Sequence, residues 1–211
     1  MAKKSTAHAR DTYHVGNLAP LLLDAARALL DQEGPTRLSL RAVSERVGVS
    51  PTAAYHHYAN RAELLGHLAA QGFRELAAAL AARDSDADGH PLRAASLAYF
   101  RFARRNPALY QLMFGPEFAA GAMIPELRQA REESFGQLKG IIAELLRLDI
   151  GTPEVRSAAL AGWSCVHGLA SLAIHGVLQF PAGASDDRFV DRALQGFEYL
   201  FKAGQEPAPG R

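Results

Sequence analysis

Ser164 and Ser171 stand one helical turn before and after His167, so a helix would bring both hydroxyls alongside one imidazole. That is the raw material of nucleophilic catalysis, in which a histidine takes the proton of an attacking hydroxyl. The set lacks a group to orient the base, because residues 157 to 185 contain no Asp, Glu, Lys or Arg. Helical serines also commonly bond a carbonyl of the preceding turn instead. His56–His57 and His167…His175 lack the flanking Cys, Asp or Glu of a metal set. No HExxH, Gly-Lys phosphate cradle or GxSxG turn occurs. The expectation is no catalytic residue, no metal and no cofactor, and hence not an enzyme.

More order lies in the stretch from Leu38 to Leu65. Leu40, Val43 and Val47 share a face at helical spacing, with Ser39 where an N-cap is wanted. Gly48 offers a backbone that turns with positive φ at little cost. Ser50 caps a second short helix, and Pro51 fits its first turn, where a missing N–H does no harm. Asn60-Arg61-Ala62-Glu63 repeats the cap logic with Glu at the third helical position. Helix, glycine turn, short helix is the pattern of a helix-turn-helix, whose second helix enters the DNA major groove. An ordinary helical hairpin would share these caps.

The order of five features is more specific. Leu22 to Gly34 (LLDAARALLDQEG), Ser39-Leu40-Arg41, Gly48-Val49-Ser50, Tyr55-His56-His57-Tyr58 and Arg61 together resemble the TetR family of transcriptional regulators. Ala54 stands where that family usually has Leu, and Arg61 where Lys is commoner; neither change removes a charge. The resemblance implies double-stranded DNA as a partner. The residues it points to are Ser39, Arg41, Ser50, Pro51, Thr52, Ala53, Tyr55, His56, His57 and Arg61. Pro51, Thr52 and Ala53 would lie against bases; being small and mostly apolar, they suit thymine methyls. Arg41 would read guanine. Tyr55, His57 and Arg61 match phosphate-binding positions, with an amide at Ser39 or Leu40 as a further donor.

Charge distribution agrees modestly. The whole chain of 211 residues carries only +1, but residues 1–61 hold +3 and residues 62–211 hold −2. Lys3, Lys4 and Arg10 form a candidate minor-groove arm. The single Cys165 allows no intrachain disulfide, which suits a reducing cytoplasm. The polar start MAKKSTAHARDTYH does not read as a secretory signal.

The coarse layout is all-α with nine helices. Residues 17–32, 40–46, 51–57 and 61–83 form the first four, followed by a polar connector, 84–89. Helices over 91–105, 107–115, 125–148, 153–179 and 186–201 follow, with a disordered tail at 204–211. The expected domains are 1–61, a helix-turn-helix with an N-terminal arm, and 62–203, a helical domain for ligand binding and dimerisation. The charge-free segment 157–185 is interrupted by Ser164, His167, Ser171 and His175, so it reads as a helix buried on several sides by protein. No membrane span is expected.

By resemblance, the C-terminal domain pairs with a second copy and takes a small-molecule effector. Trp163-Ser-Cys-Val-His167-Gly168 resembles the signature of a subgroup named for its Trp and His-Gly. Candidate ligand-binding residues are Phe100, Tyr110, Met113, Phe114, Phe118, Met123, Phe135, Trp163 and His167, with Tyr99 beside them. Candidate dimer contacts are Gly162, Gly168, Gly176, Phe197 and Phe201, the small residues letting helices approach closely. The reading is a homodimeric repressor released from a palindromic operator by a small apolar ligand. A helical enzyme, or a protein-interaction module with a degenerate DNA-binding head, is the alternative.

Overall fold

The computed structural model describes residues 18–83, 90–118, 123–178, 183 and 185–203, with side chains up to Phe197 and at Tyr199. Among these the chain is helical without strands: α1 Leu18–Glu33, α2 Leu40–Val47, α3 Pro51–Tyr55, α4 Arg61–Ala81, α5 Pro91–Arg105, α6 Pro107–Met113, α7 Pro125–Leu146, α8 Pro153–Ile174 and α9 Asp186–Ala203. Single 3₁₀ turns fall at Pro35–Arg37 and Pro116–Phe118. The N-terminal arm and the tail from residue 204 lie outside the described residues.

Contacts divide the chain into two compact units, Met1–Leu65 and Gly66–Arg211. In the first, α1 packs on α2 and α3 around Leu22, Ala26, Leu30, Leu38, Val43 and Ala54, all essentially inaccessible to water. Local chemistry sets each boundary. Ser39 Oγ accepts the Ala42 amide at 3.1 Å, and Ser50 Oγ accepts the Ala53 amide at 3.2 Å. Gly48 closes α2 at φ 79°, where its own amide bonds Glu45 O and the Val49 amide reaches Ser44 O. That is a Schellman ending, which only glycine adopts without strain. Asn60 and Glu63 cap the start of α4, the Glu63 amide donating to Asn60 Oδ1 at 3.0 Å and the Ala59 amide donating to Glu63 Oε2 at 2.6 Å.

In the second unit α5 is central, packing on α7, α8 and α9. Leu138, Ile142, Ala143, Val155 and Ala159 form a buried cluster between α7 and α8, with Leu92, Phe135 and Trp163 against it. Three arginines of α5 pair with three aspartates of α9. Arg93 and Asp191 form a two-point pair at 2.5 and 3.0 Å, Arg101 reaches Asp187 at 2.7 Å, and Arg104 pairs with Asp186. The Arg93 guanidinium holds the Asp191 carboxyl below the usual carboxylate range.

The structure corrects several boundaries. α3 ends at Tyr55, not His57; α7 ends at Leu146 because Arg147 turns left-handed at φ 55°; α8 stops at Ile174 because Gly176 does so at φ 70°. α8 is also less covered than its composition suggested. Only Val155, Ala159, Val166 and Ala170 are buried within it, while Leu160 is 52% exposed and Leu172 also faces water. Within one chain only a single stripe of this helix finds protein. By length and composition alone it is also the one helix, among the described residues, that could cross a membrane. Its packing against α5 and α7 marks it as part of the bundle.

Candidate nucleic-acid interface and inner cavity

The head presents its candidate residues on two helix starts. Ala54 and Tyr58 point inward, with the Tyr58 hydroxyl bonded to Ala19 O at 3.0 Å, and this fixes which side of α3 faces out. Pro51, Thr52, Tyr55 and His56 are therefore exposed, while Ala53 and His57 are half-buried. Tyr55, at 55% exposure, is a large side chain held in water with no packing reason to be there. Arg41 is exposed on the first turn of α2, and neither α2 nor α3 carries an acid in its first turn. Two helix N-termini free of local negative charge thus lie beside exposed donors, an arrangement suited to phosphate oxygens.

Arg61 has a task that sequence reasoning missed. Its Nε donates to Leu38 O at 2.8 Å and its Nη2 to Pro35 O at 2.6 Å. It thereby ties the turn before α2 to the start of α4. The guanidinium has five donors, so this use leaves others for an outside partner.

The second unit encloses a small cavity of about 60 Å³. Its walls come from α4 (Phe73, Leu76, Leu80), α5 (Leu92, Ala95, Ser96, Tyr99), Phe114, α7 (Arg131, Ser134, Phe135, Leu138) and α8 (Gly162, Trp163, Val166). Of the nine candidate ligand-binding residues, Phe114, Phe135 and Trp163 line it. Phe100, Tyr110, Met113 and Phe118 are buried near the ring cluster or in the core, and Met123 borders a separate surface hollow with Arg128, Arg131 and Glu132. The α4 residues, Arg131 and Ser134 are new. The available sequence signal was Arg131 in helical register with Leu127, Phe135 and Leu138, a charge on an otherwise apolar stripe.

His167 sits behind the cavity wall in a hydrogen-bonded group. Trp163 Nε1 lies 3.3 Å from the Tyr99 hydroxyl, Tyr99 lies 3.1 Å from Tyr110, and Tyr110 lies 2.6 Å from His167 Nδ1. Tyr99 is also 3.1 Å from that nitrogen. The indole can only donate, so the Tyr99 oxygen accepts. With the imidazole neutral and protonated at Nε2, Tyr110 donates to Nδ1 and Tyr99 donates to Tyr110. The indole proton and both phenol protons then each have an acceptor. Burial supports this state: it lowers the His167 pKa, pushes Tyr99 up to about 12 and raises Tyr110 as well. Ser164 bonds Leu160 O at 2.8 Å, as a helical serine does. Among the described residues no cluster of three His, Cys, Asp or Glu could hold a metal.

A family model described as "Bacterial regulatory proteins, tetR family" matches residues 22–68, and one described as "Tetracyclin repressor-like, C-terminal domain" matches residues 92–197. The second alone spans half of the chain. The chain belongs to the TetR family. It is similar to an uncharacterised HTH-type transcriptional regulator, YobS, of Bacillus subtilis (strain 168), 30% identical over 98 residues. That match covers 46% of this chain and about half (51%) of the relative. A solved structure of a protein of unknown function from Rhodococcus sp. RHA1 is 34% identical with a TM-score of 0.74, covering 89% of this chain and 96% of that one. The fatty acid degradation regulator FadR from Bacillus halodurans has a TM-score of 0.63 over 85% of this chain and 94% of that one. At 13% identity that likeness is one of fold.

Membership makes this all-α chain a transcriptional regulator with a DNA-binding helix-turn-helix. In the TetR frame the uncovered face of α8 gains interest. Leu160, Leu172 and, just beyond the helix, Val177 are exposed, as is Phe197 on α9. Between them Leu145, Leu146, Ala161, Cys165, Leu169, Ala193 and Leu194 line an apolar groove of about 300 Å³. Gly162 borders this groove, Gly168 and Gly176 have open space where a Cβ would stand, and the Phe201 side chain lies outside the described residues. Burial raises the pKa of the Cys165 thiol, so it is poorly reactive.

Proposed function

We propose that this regulator is a cytoplasmic repressor that binds a palindromic operator as a homodimer and leaves it when a small apolar ligand enters the second unit. The observation that carries the DNA part is the exposed set on α2 and α3: Arg41, Pro51, Thr52, Tyr55 and His56, facing water while Ala54 and Tyr58 hold the helix from behind. Pro51, Thr52 and Ala53 meet thymine methyls, Arg41 reads guanine, and Tyr55, His57 and Arg61 grip phosphates, with His56 on the same DNA-facing side. Ser39 and Ser50 hold the two helix starts that approach the backbone. The head corresponds to residues 1–61, and residues 62–203 bind the ligand and the second copy.

One head reads too few base pairs for useful specificity, so two are needed. The charge-free face of α8 with α9 supports pairing, since an exposed apolar groove of this kind is rarely left to water. The aromatic cavity supports the sensing role. At about 60 Å³ it is well below the roughly 300–1,000 Å³ of a ligand-filled pocket, so the ligand must widen it, and that widening is the signal.

The test is selection of genomic fragments by the purified protein, followed by fluorescence anisotropy on the best fragment across salt concentrations. Retention of a two-fold symmetric sequence, with affinity falling steeply as salt rises, is the expected result. Failure to retain any fragment at low salt overturns the proposal.

A further inference from the structure

Arg131 is out of place. It lies on α7 with the only charged side chain lining a mainly apolar, aromatic cavity, and it also borders the outer hollow with Met123, Arg128 and Glu132. It therefore stands where the cavity meets the surface. Among the described residues no carboxylate pairs with it. Its contacts are the Met123 thioether at 3.7 Å and the Phe73 ring, whose centroid is 5.7 Å from its guanidinium carbon. A thioether is a weak acceptor, and the ring accepts no directed hydrogen bond from five donors.

Ser134 lies one turn along the same helix, lines the same cavity and is only 6% exposed. Its hydroxyl has no hydrogen-bond partner among the described residues, unlike Ser96 opposite, which bonds Leu92 O at 2.8 Å. Polar groups in such places ordinarily find partners. Two donors three residues apart on a helix face the same space, and both lack an oxygen acceptor.

We infer that the effector carries a carboxylate on a compact apolar body. The guanidinium takes the carboxylate at the cavity mouth, Ser134 donates to one of its oxygens, and the body fills the space between Phe73, Phe135 and Trp163. This rests on the proposed role of the cavity as the effector site and names the class of molecule that enters. A monoanion suits a single cation in an apolar wall, because a second charge would enter unpaired. Binding exchanges the weak Met123 contact for charge-assisted hydrogen bonds.

Trp163 is the only tryptophan in the chain and lines the cavity, so its fluorescence reports occupancy. The probes are matched pairs: hexanoate with 1-hexanol, and 3-phenylpropanoate with 3-phenyl-1-propanol. The acid of each pair is expected to bind roughly ten- to a hundredfold more tightly than the alcohol. Arg131→Gln should erase that preference while leaving alcohol binding within about threefold, which shows that the cavity is intact. Ser134→Ala should narrow the preference without abolishing it. Equal binding of acid and alcohol by the unaltered protein overturns the carboxylate inference and leaves the cavity reading standing. If no acid or alcohol perturbs Trp163 or operator affinity, the cavity reading falls, and this inference with it.

Discussion

Replacing Arg61 with Ala separates two uses of one side chain. The guanidinium holds the carbonyls of Leu38 and Pro35 at 2.8 and 2.6 Å, and the same residue is proposed to touch phosphate. A hydrogen bond to a charged group contributes about 1.5–3 kcal/mol. Arg61 is exposed, so water substitutes in part, and the pair together is expected to be worth about 1.5–3 kcal/mol. Leu38, anchored by one of those carbonyls, is 1% exposed, so loosening the turn should loosen the core around it. Native-state hydrogen exchange of α2 amides should then quicken by roughly ten- to a hundredfold. In parallel, loss of one phosphate contact should flatten the slope of log affinity against log salt by about 0.9. Exchange within twofold of the unaltered protein refutes the clamp. An unchanged slope removes Arg61 from the phosphate contacts, even if binding weakens, because the weakening then comes from a disordered turn. Arg61→Lys divides the two further: a point charge can keep a phosphate but cannot span both carbonyls.

Gly48→Ala is a test of backbone strain alone, because nothing lies within 4 Å of the added Cβ while φ is +79°. It should destabilise the head by about 1–2 kcal/mol in exchange measurements, and a neutral effect would show that the left-handed turn is not required. His167 is neutral in the fold with a pKa below the ordinary 6.5, so the unfolded chain binds the extra proton first. Stability from this site is full above about pH 6.5 and falls as pH drops through that value toward the lowered folded pKa. His167→Gln should flatten that acid-side loss in melting experiments, and an unchanged profile would clear His167 of the effect. Leu160→Arg on the 52% exposed position of α8 should shift sedimentation from dimer to monomer without lowering helicity. A dimer that survives it would place pairing elsewhere.

The head was legible because its signals are local. Ser39, Gly48, Ser50 and Asn60 each act on atoms within five residues, so their spacing alone predicts the bonds that form. The inward side of α3 also followed from Ala54 and Tyr58 being four apart. Where the outcome depends on distant partners, the sequence is mute. Arg61 reads as a free cation, yet its acceptors lie 23 and 26 residues upstream. The end of α7 at Arg147 has no glycine to announce it. The periodicity of α7 marks an apolar face, but says nothing of which helices close over it. Phe73 and Leu76 of α4 were therefore missed as cavity walls while Phe135 was found. On α8 the absence of charge suggested burial on several sides; the chain itself covers one stripe, and the remainder is the face that the proposed second copy would cover.

α4 walls the cavity directly through Phe73, Leu76 and Leu80, and it also packs closely on α6. Phe114, just past the end of α6, lines the cavity, packs edge-on to the Phe73 ring at 5.3 Å and lies 4.5 Å from the His167 ring. Beside Phe73 in the chain, Gly72 admits α6 so closely that a Cβ there would lie 2.6 Å from Met113 Sδ and 3.0 Å from Leu109 Cδ2. Met113 and Leu109 are themselves buried, so this contact has no slack to absorb a displacement. Phe114 is one of the walls that a molecule widening this cavity of about 60 Å³ would press on. On the proposed sensing role, Phe73 and Gly72 are the α4 residues that a displacement of Phe114 or Met113 would meet first.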